Sequence, residues 1–326
     1  MEVGNVFLTT PATEKIMAEI GRAVDKNEWF ALFGDFGTGK TEIKNYLISE
    51  WERKRDRYCV IQFPTFRSNA SRVNKVMRWM LEQLTPDAHI PADIELKAER
   101  LRTALMKSYN SKRKVILVLE DVGSIHEFTF RELKKIHELT GLAQKNLFSI
   151  LMFGNESRVT RSVLRGDEIG LRCRSVYTPE LTESEMVLFA EKRFGLSFAK
   201  GREGQQVKGY FVRNIKATPL AIKSVAERLL SLKNFSGEVT MSAMIKTKII
   251  EAKLIKDRTA KYGITSIDIQ TELSKQGIKV GDSTIRGVLN DKPGYKDDLT
   301  AEIFSTAEKL IHKAEVKNGN DKVANS

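Results

Sequence analysis

Apolar positions in the first part of the chain alternate between helical and strand-like spacing. Over residues 11–25 they recur every four positions, for example at Ile16 and Ile20, which predicts an amphipathic helix. The short apolar run Trp29–Phe33 ends at a glycine and predicts a buried strand, and residues 41–53 return to helical spacing. The order is therefore strand, loop, helix.

Three more apolar runs predict further strands, at Tyr58–Phe63, Val115–Leu119 and Leu147–Phe153, with helical segments between them. Strands that alternate with helices favour right-handed crossovers and a parallel sheet. The chain is thus predicted to be an α/β protein, with helices on the faces of a parallel sheet. From Thr182 onward the pattern is helical in three segments, through Arg193, across Leu220–Leu232 and from Met241 to about Ala260.

This change of pattern divides the chain into parts. The turn residues Asn234–Gly237 mark one boundary, and Tyr262-Gly263 marks another. We predict an α/β domain over residues 1–180, a helical lid over 181–240, a basic helical connector over 241–262, a small all-α domain over 263–316 and a disordered polar tail over 317–326.

Charge and cysteine content narrow the class of protein. The formal net charge is +12 and the sequence pI is near 9.5, which favours a polyanionic partner such as nucleic acid, although a basic soluble protein has the same balance. The two cysteines, Cys59 and Cys173, fit neither a disulfide framework nor a zinc site. We expect a cytoplasmic protein, because no signal peptide or membrane-spanning run is evident.

The strongest motif follows the first strand. Gly34-Asp35-Phe36-Gly37-Thr38-Gly39-Lys40-Thr41 matches G-x-x-x-x-G-K-[ST] between a predicted strand and a predicted helix. The glycines let backbone N–H groups surround phosphate oxygens, Lys40 would reach the β- and γ-phosphates, and Thr41 would hold Mg²⁺. The pattern predicts an ATP site, and the alternative is a chance glycine-rich turn.

Two carboxylates follow the run Val115–Leu119. Glu120 and Asp121 stand where ligands of open parallel sheets bind, so one can hold Mg²⁺ and the other can orient the attacking water. Glu120 is the candidate metal ligand and Asp121 the candidate for orienting the water, and the sequence leaves open which of the two carboxylates holds the metal. The alternative is a pair that merely ends a strand.

Asn155 follows another predicted strand and is a candidate sensor of the γ-phosphate; a turn-forming asparagine is the alternative. Arg174 and Arg172 lie in a basic segment before the predicted lid. An arginine supplied to a neighbouring subunit would stabilise charge on a transferring phosphoryl group, and we favour Arg174 over Arg172. A solvated basic turn would also explain them.

With these motifs, residues 10–232 resemble the AAA+ ATPases, especially the branch with the phage Mu B protein, TnsC and ExeA-like ATPases. The helical segment Phe130–Leu139 adds to that resemblance. It implies an ATP- and Mg²⁺-dependent ATPase with a helical lid. Two departures imply slow hydrolysis, which an arginine from a neighbouring subunit would make dependent on assembly. The acidic pair is inverted, and the segment Ala217–Lys223 lacks the usual arginine, for which Lys223 would substitute as a nucleotide contact.

The C-terminal part has the pattern of a helix-turn-helix. Residues 266–273 and 283–290 predict two short helices around a glycine-bearing turn. The second resembles the recognition helix of LacI-like repressor headpieces, and that resemblance implies DNA contacts by Ser283, Thr284 and Arg286. A helical subdomain for protein contacts is the alternative.

Other basic residues fit a DNA partner, or a solvated surface equally well. In the α/β domain they are Arg67, Arg72 and Lys75, after the second predicted strand. In the connector they are Lys246, Lys248, Lys253, Lys256, Arg258 and Lys261.

These observations lead to a first hypothesis. The chain would oligomerise on double-stranded DNA with ATP, as a ring or helical filament, and by resemblance would select target DNA and activate a transposase. The second hypothesis is a nucleotide-switched transcription or replication regulator that binds one DNA site. A secretion ATPase without a DNA role is a third, against which the absence of a membrane segment and the helix-turn-helix pattern argue.

Overall fold

The computed structural model describes residues 7–63, 73–138, 146–247, 249, 252–290, 292 and 294–324. The chain divides into two compact units, Gly4–Glu180 and Leu181–Ser326. Arg67, Arg72 and Lys248 lie outside the described residues. No helix in the described ranges has both the length and the apolar character needed to cross a membrane.

The first unit contains five strands and seven helices within the described residues. The strands are β1 (Trp29–Phe33), β2 (Tyr58–Phe63), β3 (Lys114–Leu119), β4 (Phe148–Gly154) and β5 (Cys173–Tyr177). The helices are α1 (Pro11–Lys26), α2 (Lys40–Glu52), α3 (Val73–Leu84), α4 (Ile94–Asn110), α5 (Glu127–His137), α6 (Arg158–Arg165) and α7 (Asp167–Gly170), and a 3-10 turn spans Val122–Ser124.

All five strands are parallel and form one sheet in the order β2-β3-β4-β1-β5. Alternate residues of the central strands face two apolar cores, one on each side of the sheet. Every residue of β1 is buried, as a strand covered on both faces requires. The predicted α/β class and parallel sheet are confirmed.

The second unit is mostly helical. Its helices are α8 (Glu183–Phe194), α9 (Arg202–Asn214), α10 (Pro219–Leu230), α11 (Met241–Lys246), α12 (Ala252–Lys261), α13 (Ser266–Lys275), α14 (Asp282–Leu289) and α15 (Asp297–Ala324). Two short strands, β6 (Ser197–Phe198) and β7 (Glu238–Val239), pair in parallel.

One apolar core runs through this whole unit. It includes Phe211 of α9, Met244 of α11, Ile255 of α12 and Ile285 of α14, all of them fully or almost fully buried. The segments predicted as lid, connector and helix-turn-helix therefore share a single core, to which the connector contributes Met244 and Ile255.

The last helix of the second unit extends into the segment predicted as a tail. Helix α15 continues to Ala324, across most of residues 317–326. Buried Ile303 and Phe304 anchor the start of α15.

Candidate functional site

The segment Gly34–Gly39 forms the loop between β1 and α2. Gly37 and Gly39 have φ angles of 84° and 90°, a region that side chains rarely allow. Gly39 caps α2 without a side-chain hydrogen bond, so the first N–H groups of the helix have no side-chain acceptor at the cap. The loop therefore presents a helix N-terminus that an anionic oxygen can cap.

Lys40 is the first residue of α2, and its side chain folds back onto the loop. Its Nζ donates to the carbonyl oxygens of Gly34, at 2.8 Å, and Asp35, at 2.6 Å. Burial lowers the pKa of Lys40, and the negative charge of Asp35 opposes that effect. Thr41 follows and is exposed in the first turn of the helix.

Two buried threonines fix the loop against the end of β5. The Oγ1 of Thr178 donates to the Oγ1 of Thr38 at 2.7 Å, and Thr38 in turn donates to the carbonyl oxygen of Asp35 at 2.9 Å. A Cβ added to Gly34 would lie 1.9 Å from the Oγ1 of Thr178. Glycine is thus required at this position for a steric reason.

The acidic pair lies directly after β3. Glu120 is half-buried and accepts a 2.5 Å hydrogen bond at Oε1 from the Nζ of Lys44. Asp121 is exposed and has a φ of 46°, a left-handed conformation that aspartate tolerates better than most residues. The two carboxylates therefore differ in their surroundings, although they are neighbours in sequence.

Backbone packing brings the end of β4 close to this acidic turn. A Cβ added to Gly154 would lie 2.7 Å from the backbone nitrogen of Val122, and one added to Gly123 would lie 2.7 Å from the carbonyl oxygen of Asn155. Asn155 itself is exposed immediately after β4. Only glycines allow such an approach of two backbones.

The strand register places these groups together at the edge of the sheet formed by the carboxyl ends of its strands. Phe33 of β1 pairs with Gly154 of β4, and Leu119 of β3 pairs with Met152. Because the three strands are adjacent and parallel, their carboxyl ends bring together the glycine-rich loop, the acidic pair and Asn155, where ligands of such sheets bind.

The residues at this edge fit a nucleotide and its metal. The loop offers the uncapped N-terminus of α2 and the ammonium of Lys40 to phosphate oxygens. The hydroxyl of Thr41 and the carboxylates of Glu120 and Asp121 are hard oxygen donors of the kind that Mg²⁺ binds together with phosphate oxygens.

The two arginines lie near the amino ends of the strands, at the opposite end of the sheet from the glycine-rich loop. Arg174 pairs in register with Phe30 near the start of β1, three strand residues or about 10 Å before Phe33. Its guanidinium contacts the buried Glu19 at 3.0 Å, and that of Arg172 contacts Glu138 at 3.2 Å. Arg174 is part of β5 and not of a turn, because Cys173 and Arg174 continue the pairing of β1.

The other predicted contacts are distributed over both units. Lys75 is exposed in the first turn of α3. Lys223 is exposed on α10, with its Nζ 3.9 Å from Glu227. On α14, Ser283 and Arg286 are exposed and Thr284 is partly exposed.

The sequence did not predict a role for two residues at the site, Lys44 and Thr178. Lys44 is buried on α2 next to the apolar Ile43 and one turn after Lys40, and a charged residue within an apolar helix face was the available signal. Thr178 has no local signal, because its partner Thr38 lies 140 positions away in sequence.

Residues 25–161 match the family model described as an AAA domain. No curated protein sequence matches the chain. This match, the sheet order and the loop geometry together identify the fold of the first unit as the P-loop AAA+ fold.

Two solved structures resemble the chain over most of its length. The ORC2 protein of Aeropyrum pernix, in ADPNP–ADP complexes, is 12% identical with a TM-score of 0.53, and the alignment covers 94% of this chain and 97% of that chain. Cdc6p from Pyrobaculum aerophilum is 13% identical with a TM-score of 0.51, and the alignment covers 96% and 89% of the two chains. At such identities the likeness concerns the fold alone.

Proposed function

We propose that this protein is an ATPase that binds ATP with Mg²⁺, assembles into a homo-oligomer on double-stranded DNA and leaves the DNA after hydrolysis. One observation carries the proposal: the glycine-rich loop with Lys40, the acidic pair and Asn155 meet at one edge of a parallel sheet. The ORC2 structure with ADPNP and ADP supports nucleotide as the ligand of this fold.

Each residue at the edge has a role that its chemistry allows. Lys40 binds the β- and γ-phosphates, Thr41 and Glu120 hold the metal, Asp121 orients the attacking water, and Asn155 contacts the γ-phosphate. The metal supplies charge neutralisation at the phosphates.

Assembly would complete the site. Arg174 and Arg172 lie at the sheet edge opposite to the phosphate loop, so the phosphates that they contact belong to another copy of the chain. Each arginine is paired with a carboxylate within its own chain, so the neighbour's phosphate would share or compete for the guanidinium. Because this cation reaches the phosphates only in the assembly, hydrolysis would be slow in the monomer and faster in the oligomer.

DNA is the proposed polyanionic partner. The net charge of +12 supports it, as do the exposed Ser283 and Arg286 and the partly exposed Thr284 on α14. Lys75, with Arg67 and Arg72, would follow the phosphate backbone without reading sequence.

Within this function we favour the selection of target DNA and the activation of a transposase. The support is the resemblance of the loop, the acidic turn and the segment Phe130–Leu139 to the Mu B and TnsC branch. The second candidate is a transcription or replication regulator switched by nucleotide at one DNA site. The common core of α8–α10 with α13 and α14 favours it, because a nucleotide-dependent movement of the lid would carry the helix pair with it.

The test is binding to random-sequence duplexes of increasing length with ATP, ADP or no nucleotide. We expect cooperative, ATP-dependent binding that strengthens with duplex length. Lys40→Ala removes charge-assisted hydrogen bonds to phosphate, so it should weaken ATP binding roughly 10- to 100-fold and abolish the ATP effect on DNA. Nucleotide-independent binding to one defined sequence would favour a repressor-like regulator, and no DNA binding would refute both candidates.

A further inference from the structure

Lys44 is a buried cation beside the proposed metal site. Its side chain is 7% exposed, whereas that of its partner Glu120 is 42% exposed. The Nζ–Oε1 distance of 2.5 Å is that of a short charge-assisted hydrogen bond. The helix α2 thus directs Lys40 to the phosphate loop and Lys44, one turn later, to the end of β3.

Stability alone does not explain a lysine at this position. Its neighbours on the buried face of α2 are Ile43, Leu47 and Ile48, and an apolar residue would fit the same face. Buried ion pairs are often no more stabilising than apolar residues of the same volume, because both charges lose hydration. A charged residue is needed only if the carboxylate that it contacts has to be ionised and oriented.

The orientation of Glu120 is the property that Lys44 controls. The terminal torsion of a glutamate has a broad range of nearly equal energies, so a fixed donor selects one carboxylate plane. Metal ligands depend on such partners, which fix their direction and their charge state.

We infer that Lys44 is a positioning residue that orients the Glu120 carboxylate toward the metal bound with the nucleotide. This inference rests on the proposed function. It also assigns different roles to the two residues of the inverted acidic pair. Glu120, oriented by Lys44, is the metal ligand, and the exposed Asp121 orients the attacking water.

The experiment measures Mn²⁺ binding to the full chain loaded with a non-hydrolysable ATP analogue, from the paramagnetic resonance signal of free Mn²⁺. Lys44→Met should weaken Mn²⁺ binding about 10- to 100-fold, the usual effect of losing a partner of a metal ligand. Binding of the analogue without metal should stay near that of the wild type. Lys44→Arg, which keeps the charge and the donor, should restore part of the Mn²⁺ affinity.

The matched control is Lys97→Met. Lys97 is as buried as Lys44, but it donates to the side chain of Asn74 and the carbonyl oxygen of Ala92. Its substitution should leave Mn²⁺ affinity unchanged. A general effect of removing a buried lysine would appear in both variants and would overturn the inference.

A double substitution tests whether Lys44 acts through Glu120. In a Glu120→Gln background, Lys44→Met should cause no further loss of Mn²⁺ affinity. The inference would be overturned if the losses of Mn²⁺ affinity from the two single substitutions multiplied in the double variant. It would also be overturned if Lys44→Met alone left the Mn²⁺ affinity unchanged or increased it. If Lys44→Met does not fold, Lys44→Gln replaces it, with the same expectation. Failure of the wild type to bind the analogue would refute the proposed function and this inference with it.

Discussion

His137 is a buried histidine at the end of α5, and its environment keeps it neutral. Its Nε2 lies 2.9 Å from the carbonyl oxygen of Asn27 and 3.0 Å from that of Phe148. Burial lowers the pKa of His137 to about 4; the two carbonyl contacts oppose this shift, and the charge of Arg172 adds to it. The unfolded chain keeps the ordinary value near 6.5.

Acid should therefore destabilise the first unit through His137. Between pH 6.5 and about 4 the unfolded chain binds a proton that the folded chain does not, so this contribution to stability is present above pH 6.5 and is lost as pH falls through that window. The loss approaches roughly 3 kcal/mol. Urea unfolding of wild type and His137→Gln at several pH values measures it.

The histidine variant should show a shallower fall in the free energy of unfolding over this window than the wild type. His89→Gln is the control, because His89 is exposed and its substitution removes a histidine without touching a buried contact. Equal slopes for wild type and His137→Gln would contradict the assignment.

At the scale of single residues, the sequence predicted those parts of the candidate site that form continuous motifs. Gly34–Thr41 and the pair Glu120-Asp121 are continuous motifs, and the structure brings both to one sheet edge. Lys44 offered one local signal, a charge on an otherwise apolar helix face, but its role could not be predicted, because its partner Glu120 lies 76 positions away. Such contacts depend on the fold as a whole.

Three helices of the second unit meet at a buried polar cluster, formed by Tyr210 of α9, Arg258 of α12 and Glu308 of α15. Glu308 accepts hydrogen bonds from the Tyr210 hydroxyl at 2.5 Å and from the Nη1 of Arg258 at 2.8 Å. Glu308→Ala removes the carboxylate and leaves a largely buried guanidinium without it. We expect the free energy of unfolding to fall by about 3–5 kcal/mol.

Chemical unfolding of the full chain, followed by a probe in the second unit, measures this loss. The triple variant Tyr210→Phe, Arg258→Met, Glu308→Leu removes all three polar groups together and should recover most of the stability. Glu227→Ala is the control; its ion pair with Lys223 is exposed, so the change should stay below about 1 kcal/mol. If the triple variant lost as much free energy of unfolding as Glu308→Ala, then packing, and not the unpaired charge, would account for the effect.

At the scale of elements, strong apolar runs gave accurate predictions and weak ones did not. The strands β1 and β2 have the predicted bounds: β1 is a central strand buried along its whole length, and β2, at the edge of the sheet, is a short run of mostly apolar residues. The edge strand β5 was missed, since it contains Arg174 and Ser175, both exposed. The helix α9 was also missed, because polar residues dominate its first half.

At the scale of the whole molecule, the proposed function separates the residues that bind ATP from the residues of α14 that bind DNA. If α14 contacts DNA, Arg286 should matter for DNA and not for ATP. Its guanidinium is exposed and contacts Asp282 at 2.8 Å, one helical turn earlier. Arg286→Ala should therefore weaken DNA binding while the affinity for ATP, measured without DNA, stays unchanged.

The dependence on salt distinguishes how Arg286 acts. If it contacts a phosphate, the slope of log affinity against log salt concentration should become shallower by about 1 in Arg286→Ala, and weakening should be uniform across sequences. If it contacts a base, affinity should fall most for the preferred sequence. Arg53→Ala is the matched control, because Arg53 is an equally exposed arginine with a carboxylate partner, Glu50, in the first unit. It removes the same net charge, so an equal loss of DNA affinity in both variants would assign the effect to overall charge and refute a specific role for α14.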